Sequence, residues 1–151
     1  MRQMSTRSMI AIKTDDGFTG TYHHWDGYPT ALGEYLAMEF QNAEHGWDYL
    51  TNDVLSHSWS SLRDKECHCC GTMSDGRRET FEPYTHETDC WAEFSYVFEH
   101  DEKQETDFMH IMMPADGGGF GMPTSEWETV WSVDLNAELP DFEEIQLNIG
   151  G

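Results

Sequence analysis

All four cysteines of this chain fall between Cys67 and Cys90, and any cross-link there would fix the path of the residues it encloses. Read as Cys67-x2-Cys70-x15-His86-x3-Cys90, the spacing fits a tetrahedral metal clip. Each close pair sits on a turn or helical turn that can aim two ligand atoms inward. Zinc favours thiolate and imidazole, and four protein ligands leave no open coordination position. The spacing therefore predicts structural zinc, not a catalytic centre. Cys69 adjoins Cys70 and His68 precedes it, so the pattern does not choose between Cys69 and Cys70 as ligand. Free thiols, or two disulfides in a secreted protein, are the competing uses of the same residues. No apolar signal-peptide segment precedes the cysteines, which points to a reducing compartment.

The 151-residue chain is expected to form a single domain, 1–151. Residues 1–6 read as disordered, with Met4 as an alternative start, and 63–90 as a metal-binding insertion. Hydrophobic residues make up 38% and aromatic residues 13%, enough for a modest core and too many for an acidic tail. No apolar run approaches the roughly 20 residues that cross a bilayer. Charge is the strongest compositional signal: 29 Asp and Glu stand against 8 Lys and Arg, a net charge of -21. Thr14 to Leu62 holds eight acids and no Lys or Arg, and ten acids with no base follow Lys103. Such a surface repels nucleic acid, phospholipid and phosphorylated substrates, and favours partners with basic grooves. Duplex DNA carries about one charge per 1.7 Å of axis, so dense carboxylates can compete for a nucleic-acid site. Solubility, or a halophilic origin, would also account for acidity alone.

Along the chain, Arg7 to Thr14 reads as a strand, Asp15-Asp16-Gly17 as a hairpin turn, and Thr19 to Trp25 as the returning strand. Thr30 is expected to cap a helix from Ala31 to Asn42, with Leu32, Tyr35, Leu36 and Phe40 on its apolar face. A second helix is expected over Trp47 to Leu62, with Leu50, Val54 and Leu55 inward. Trp91 to Glu99 and Thr106 to Met113 read as strands joined by a loop over Asp101 to Gln104. Glu126 to Val133 is expected as a strand with Trp127, Thr129, Trp131 and Val133 on one side, and Ile145, Leu147 and Ile149 as a last edge strand. The sum is an α+β fold: an antiparallel sheet, two helices from the N-terminal half on one face, and a zinc-clipped insertion.

Thr6-Arg7-Ser8, a strand, a Gly-bearing turn, then Tyr22-His23-His24-Trp25-Asp26-Gly27-Tyr28-Pro29 with Gly33 and Leu36 resembles a group of small uncharacterised proteins of phages, prophages and other mobile elements. Ala92 to Phe98 resembles the aromatic strand further along in that group. The likeness covers about 40 residues by motif alone, and the Asp-Gly-Tyr-Pro turn is its most specific part. It implies a mobile-element origin and supplies no catalytic residues.

His23, His24 and Asp26 lie where a strand meets a loop, a common place for function. Strand alternation sends His23 and His24 to opposite faces. One of them with Asp26 and a distant His45 or His57 would build a metal-dependent hydrolase; the competing use of the motif is architectural, with Asp26 in the turn and Tyr28 packed. Gly117 to Gly121 lacks the Gly-Lys-Ser/Thr ending of a phosphate loop. Trp127 and Trp131 suit either core or a partner anchor, and Cys67 or Cys69 beside His68 has only adjacency to suggest a nucleophile. The leading expectation is a non-enzymatic inhibitor, of anti-CRISPR type, working in the cytoplasm of a bacterial host. Its partner would be a host defence protein with a basic nucleic-acid groove, such as a CRISPR effector, with no direct contact to nucleic acid or membrane. The carboxylates expected to bind are Asp101, Glu102 and Glu105 at the hairpin and Glu138, Asp141, Glu143 and Glu144 in the tail. A virion structural protein is the third possibility.

Overall fold

In the computed structural model of the chain the described residues are 6–15, 17–67, 84–85, 93–114 and 127–150. Strand β1, Ser8–Thr14, pairs antiparallel with β2, Gly17–His23, placing Met9 opposite Tyr22 and Ile12 opposite Thr19. Small and branched residues let β1 sit between neighbours on both sides, and Met9, Ile10 and Ala11 are fully buried. The chain then turns at Asp26, whose φ is 51°. A π-helical turn, Pro29–Gly33, runs straight into α1, Glu34–Asn42. Proline suits a helix start because its ring presets φ and the missing N–H has no helical partner there. Leu32, Leu36 and Phe40 face the core as the spacing predicts, with Tyr35 half-buried.

Thr30 does not cap this helix. The helical turn starts earlier, at Pro29, and no side chain caps it. The Thr30 hydroxyl and N–H both donate to Oε1 of Gln146, at 2.8 and 3.0 Å, tying the helix start to the C-terminal helix.

The second helical stretch is shorter than expected. It comprises α2, Gly46–Asp48, and a π-helical turn, Tyr49–Val54. The indole of Trp59 then donates to the carbonyl of Val54 at 2.8 Å, satisfying a helix-end acceptor. Beyond it the chain extends as β3, Trp59–Ser61, which runs parallel to β2 and antiparallel to β4, Glu66–Cys67. His24 N and Trp25 N donate to the carbonyls of Trp59 and Ser60, both at 2.9 Å. A two-residue strand β5, Tyr84–Thr85, also pairs with β2.

The remaining strands form a meander: β6, Phe94–Asp101; β7, Thr106–Pro114; and β8, Trp127–Asp134. The sheet order is β4-β3-β2-β1-β6-β7-β8. β1 lies parallel to β6, with Ile10 opposite Tyr96, so the sheet is mixed, not antiparallel. The hairpins are local and antiparallel by construction; β1 against β6 is a long-range pairing whose direction their turns do not dictate.

β8 has an extra residue. Ile111 pairs with Trp131 but Met112 pairs with Thr129, leaving Val130 as a bulge. Trp127 is thereby sent to the sheet face of Met9, Ala11, Phe18 and Val97, whereas Trp131 and Val133 pack on the helical face. Trp127, Thr129, Trp131 and Val133 do not share one side. The tail is also helical: α3, Phe142–Gly150, buries Phe142 and Ile145 at a spacing of three, with Ile149 packed beside them and Leu147 76% exposed. Strand alternation over Ile145, Leu147 and Ile149 reads this segment wrongly because only a period near 3.6 includes Phe142. The helices cover one sheet face around Ile10, Tyr96, Phe98, Met109 and Ile111, and α3 joins the two N-terminal helical stretches there. No helix among the described residues is long and apolar enough to cross a membrane.

The turn after β2 is clamped. Gly27 N donates to Thr6 O at 2.8 Å, and the buried hydroxyl of Tyr96 donates to Gly27 O at 2.5 Å. A Cβ at Gly27 would lie 2.5 Å from Ser8 Oγ and 2.6 Å from Thr6 O. We expect Tyr96→Phe, which orphans a buried carbonyl, to lower unfolding stability by about 1–3 kcal/mol. Gly27→Ala should cost about as much through overpacking. Urea unfolding measures both; an unchanged midpoint for Gly27→Ala would mean that the turn is not held in this way.

Candidate functional site

The β6–β7 hairpin and the β8–α3 connection lie side by side at one end of the sheet. Asp101 Oδ1 accepts from Lys103 N at 2.9 Å and Gln104 N at 3.1 Å, and Oδ2 from the Gln104 amide at 3.1 Å. These bonds, the Gln104 N–H foremost, hold the Asp101 carboxyl below its usual range. Glu105 turns the chain at a φ of 52°. Glu102 and Glu105 are exposed at the tip.

The tip is fastened to the tail through Asp107. Leu135 N donates to Asp107 O at 2.8 Å, and Asp107 N donates to Asn136 Oδ1 at 2.6 Å. Asp107 Oδ1 also accepts from the Trp47 indole at 3.1 Å and meets His100 Nδ1 at 2.8 Å. The side chain of Gln41 donates to the carbonyls of Leu135 and Ala137, at 3.1 and 2.7 Å. Exposed Glu138 lies on this tethered connection. Asp141 then opens α3: its Oδ1 accepts from Glu143 N at 3.0 Å, and its carbonyl from Ile145 N at 3.2 Å. Glu143 and Glu144 occupy the first turn, exposed, where the helix dipole favours negative charge.

The structure thus places Asp101, Glu102, Glu105 and Glu138 on two bonded segments, with Asp141, Glu143 and Glu144 on the helix that follows. Among the described residues, no ion pair engages Glu102, Glu105, Glu138, Glu143 or Glu144. The exposed carboxylate of Asp48, next to Trp47, was not singled out by the sequence; the Trp47–Asp107 bond fastens that segment to this end.

Other acids are compensated within the fold. Glu99 pairs with Lys13 Nζ and with His110 Nε2, each at 2.8 Å, and His110 Nδ1 meets Ser132 Oγ at 2.7 Å. The Lys13 hydrogen bond is the main cause of the lowered Glu99 pKa. A positive charge already beside Glu99 weakens its pull on a partner.

The second constellation surrounds the Asp-Gly-Tyr-Pro turn. His23 and His24 point to opposite sides, as strand alternation requires. His24 Nδ1 shares a 2.6 Å hydrogen bond with the Tyr22 hydroxyl, and its ring meets Trp25 edge-on at 4.4 Å. His45 is exposed just before α2, and the His57 ring packs edge-on against Trp59. No group of three or more His, Cys, Asp or Glu among the described residues could hold a metal ion. The expected zinc ligands Cys70, His86 and Cys90 lie outside the described residues, as do Cys69, His68 and the Gly117 to Gly121 loop; Cys67 contributes its backbone to β4.

His23 is 2% exposed and accepts a hydrogen bond at Nε2 from Leu62 N at 3.0 Å. Burial, with His24 nearby adding to it, pushes its pKa down to about 3. It lines a cavity of about 610 Å³ together with Trp25, Tyr28, Tyr35, Arg63 and Asp64. Arg63 and Asp64 escape sequence reasoning because a helix through Leu62 would have set β3 and the turn after it elsewhere.

The buried imidazole gives stability a defined pH dependence. Between pH 6.5 and about 3 the unfolded chain binds a proton here that the folded chain refuses. This contribution is therefore complete above pH 6.5 and lost as pH falls. From pH 7.5 to 5 the wild-type protein should lose about 2 kcal/mol through His23. His23→Gln, which still accepts from Leu62, should lack that increment; identical pH slopes in urea unfolding would show that the ring is protonated in the fold.

No known protein family, curated protein or solved structure matches this chain.

Proposed function

We propose that this protein is a non-enzymatic inhibitor from a phage or other mobile element, acting on a host nucleic-acid-guided defence complex of CRISPR type. It binds a basic groove of that complex in the host cytoplasm through its carboxylate-rich end, and so competes with nucleic acid or blocks its loading. The observation that supports this most is the fastening of the acidic hairpin to the acidic tail through Asp107, Asn136 and Leu135. Two flexible acidic segments would lose conformational freedom on binding; segments already bonded to one another present their charge at lower entropic cost. The net charge of -21 adds long-range attraction to a cationic groove. A structural zinc on Cys67, Cys70, His86 and Cys90 belongs to the same reading, as the clip for the Cys-rich segment.

Some acids serve turns as well as charge. Asp101 and Asp141 hold backbone N–H groups, so replacing them confounds folding with binding. Glu102, Glu105 and Glu138 make no such bonds. Their combined replacement by Lys should slow association with the effector complex by about tenfold or more and flatten its salt dependence, with unfolding stability retained. Glu128→Lys, at the start of β8 away from the hairpin, serves as the control. Affinity that ignores both the triple reversal and the salt concentration would refute an electrostatic mechanism.

For the metal, elemental analysis of protein purified without added zinc should find about one ion per chain, and a chelator should lower the melting temperature. Metal-free protein with an unaltered melting curve would remove the clip from this reading while leaving the acidic end untouched.

A further inference from the structure

Glu99, His110 and Ser132 stand in line across the neighbouring strands β6, β7 and β8. Strand alternation puts them on the sheet face of Val97 and Met112, opposite the helices. Lys13 lowers the Glu99 pKa, so this carboxyl is ionised at neutral pH and can only accept. Its 2.8 Å bond therefore fixes the proton of the neutral His110 ring on Nε2. Nδ1 is left as an acceptor, and the hydrogen in its 2.7 Å bond must come from the Ser132 hydroxyl. A serine thus donates to a base that a carboxylate orients in turn, the arrangement that activates a weak nucleophile. The Phe108 ring stacks on the imidazole at 5.8 Å and 19°, which holds its plane.

The ladder leaves Ser132 open to attack a partner. Leu135 N donates to Asp107 O, so the bonded pairs of β7 and β8 fall at Asp107–Leu135, Met109–Val133 and Ile111–Trp131. His110 and Ser132 form the non-bonded pair between them, where side chains lie closest. The N–H of Ser132 consequently points away from β7. Among the described residues β8 ends the sheet order, and Ser132 is exposed there. That outward amide is available to an oxygen that gains charge beside Oγ. Glu99 and Asp134 share this face, and the chain carries a net charge of -21, so an anionic acyl donor is repelled.

We infer that Ser132 is an activated nucleophile, a site of covalent acylation by uncharged activated esters, with His110 as general base and Glu99 as its positioning residue. Oγ bonds to the ester carbonyl carbon while its proton passes to His110 Nδ1. The bond from that carbon to the leaving oxygen then breaks, and the proton moves from Nδ1 to that oxygen. The products are an acyl-serine, an alcohol and a neutral histidine. The step needs no turnover and does not depend on the inhibitor reading.

The full chain is treated with p-nitrophenyl acetate and, in parallel, with diisopropyl fluorophosphate, whose adduct on serine resists hydrolysis. Peptide mass spectrometry of quenched time points gives the rate at each serine. Ser132 should react about a hundredfold faster than Ser56, which is also exposed but donates to the Asn52 carbonyl instead of a base. His110→Gln should remove that advantage. Glu99→Gln still accepts from Nε2–H but lacks the charge that stabilises the imidazolium, and should slow Ser132 about tenfold with the urea midpoint retained. Equal rates at Ser132 and Ser56 in the wild-type protein, or a Ser132 rate that neither His110→Gln nor Glu99→Gln moves, would overturn the assignment.

Discussion

The hydroxyl of Tyr96 reaches from β6 to the carbonyl of Gly27, while Gly27 N–H reaches the carbonyl of Thr6 just ahead of β1. Three segments far apart in sequence are held at one point: the approach to the first strand, the turn after the second, and the first strand of the meander. The same tyrosine ring stops Gly33 from carrying a side chain, since a Cβ there would come within 2.9 Å of Cε1. The start of α1 is consequently set against β6. Because β1 and β6 are parallel neighbours with Ile10 beside Tyr96, this knot also fixes how the N-terminal hairpin registers on the meander. The acidic end and the cavity hang from opposite ends of that arrangement.

Local order is where the sequence was most readable. The β1–β2 and β6–β7 hairpins are short-range, and their alternation and turn residues announce them. The apolar stripe of Leu32, Leu36 and Phe40 is equally plain. What escaped was set by contacts remote in sequence. Trp59 fits a helical stripe after Val54, yet its indole ends that helix by taking the Val54 carbonyl. The tail fits an alternating strand if Phe142 is ignored, and a helix once it is counted. The bulge at Val130 leaves no mark in composition, although it sends Trp127 and Trp131 to different faces. Parallel pairing of β1 with β6 could not be read from either hairpin.

The candidate sites divide along the same line. Exposed carboxylates at a hairpin tip and before a helix are legible, because turns and helix starts favour acids for reasons internal to the chain. Their fastening through Asp107 was not legible, since Asn136 and Leu135 meet it only in the folded sheet. The Asp-Gly-Tyr-Pro turn was recognisable as a motif, and its glycine proves architectural. Its cavity depended on β3 and the turn at Arg63 and Asp64, a region that the sequence assigned partly to helix. The bond from Leu62 N to His23 Nε2 joins segments far apart in the chain and could not have been guessed from residue type.

The bulge in β8 has a bearing on self-association. Among the described residues β8 ends the sheet order, and a terminal strand offers unpaired backbone groups to any passing chain. Val130 breaks the even spacing of those groups midway, and exposed Glu128 adds charge nearby. A second copy laid alongside would find its ladder out of step after a few residues and two carboxylates facing one another. The irregularity that scatters the tryptophans also discourages the sheet from growing into a fibre.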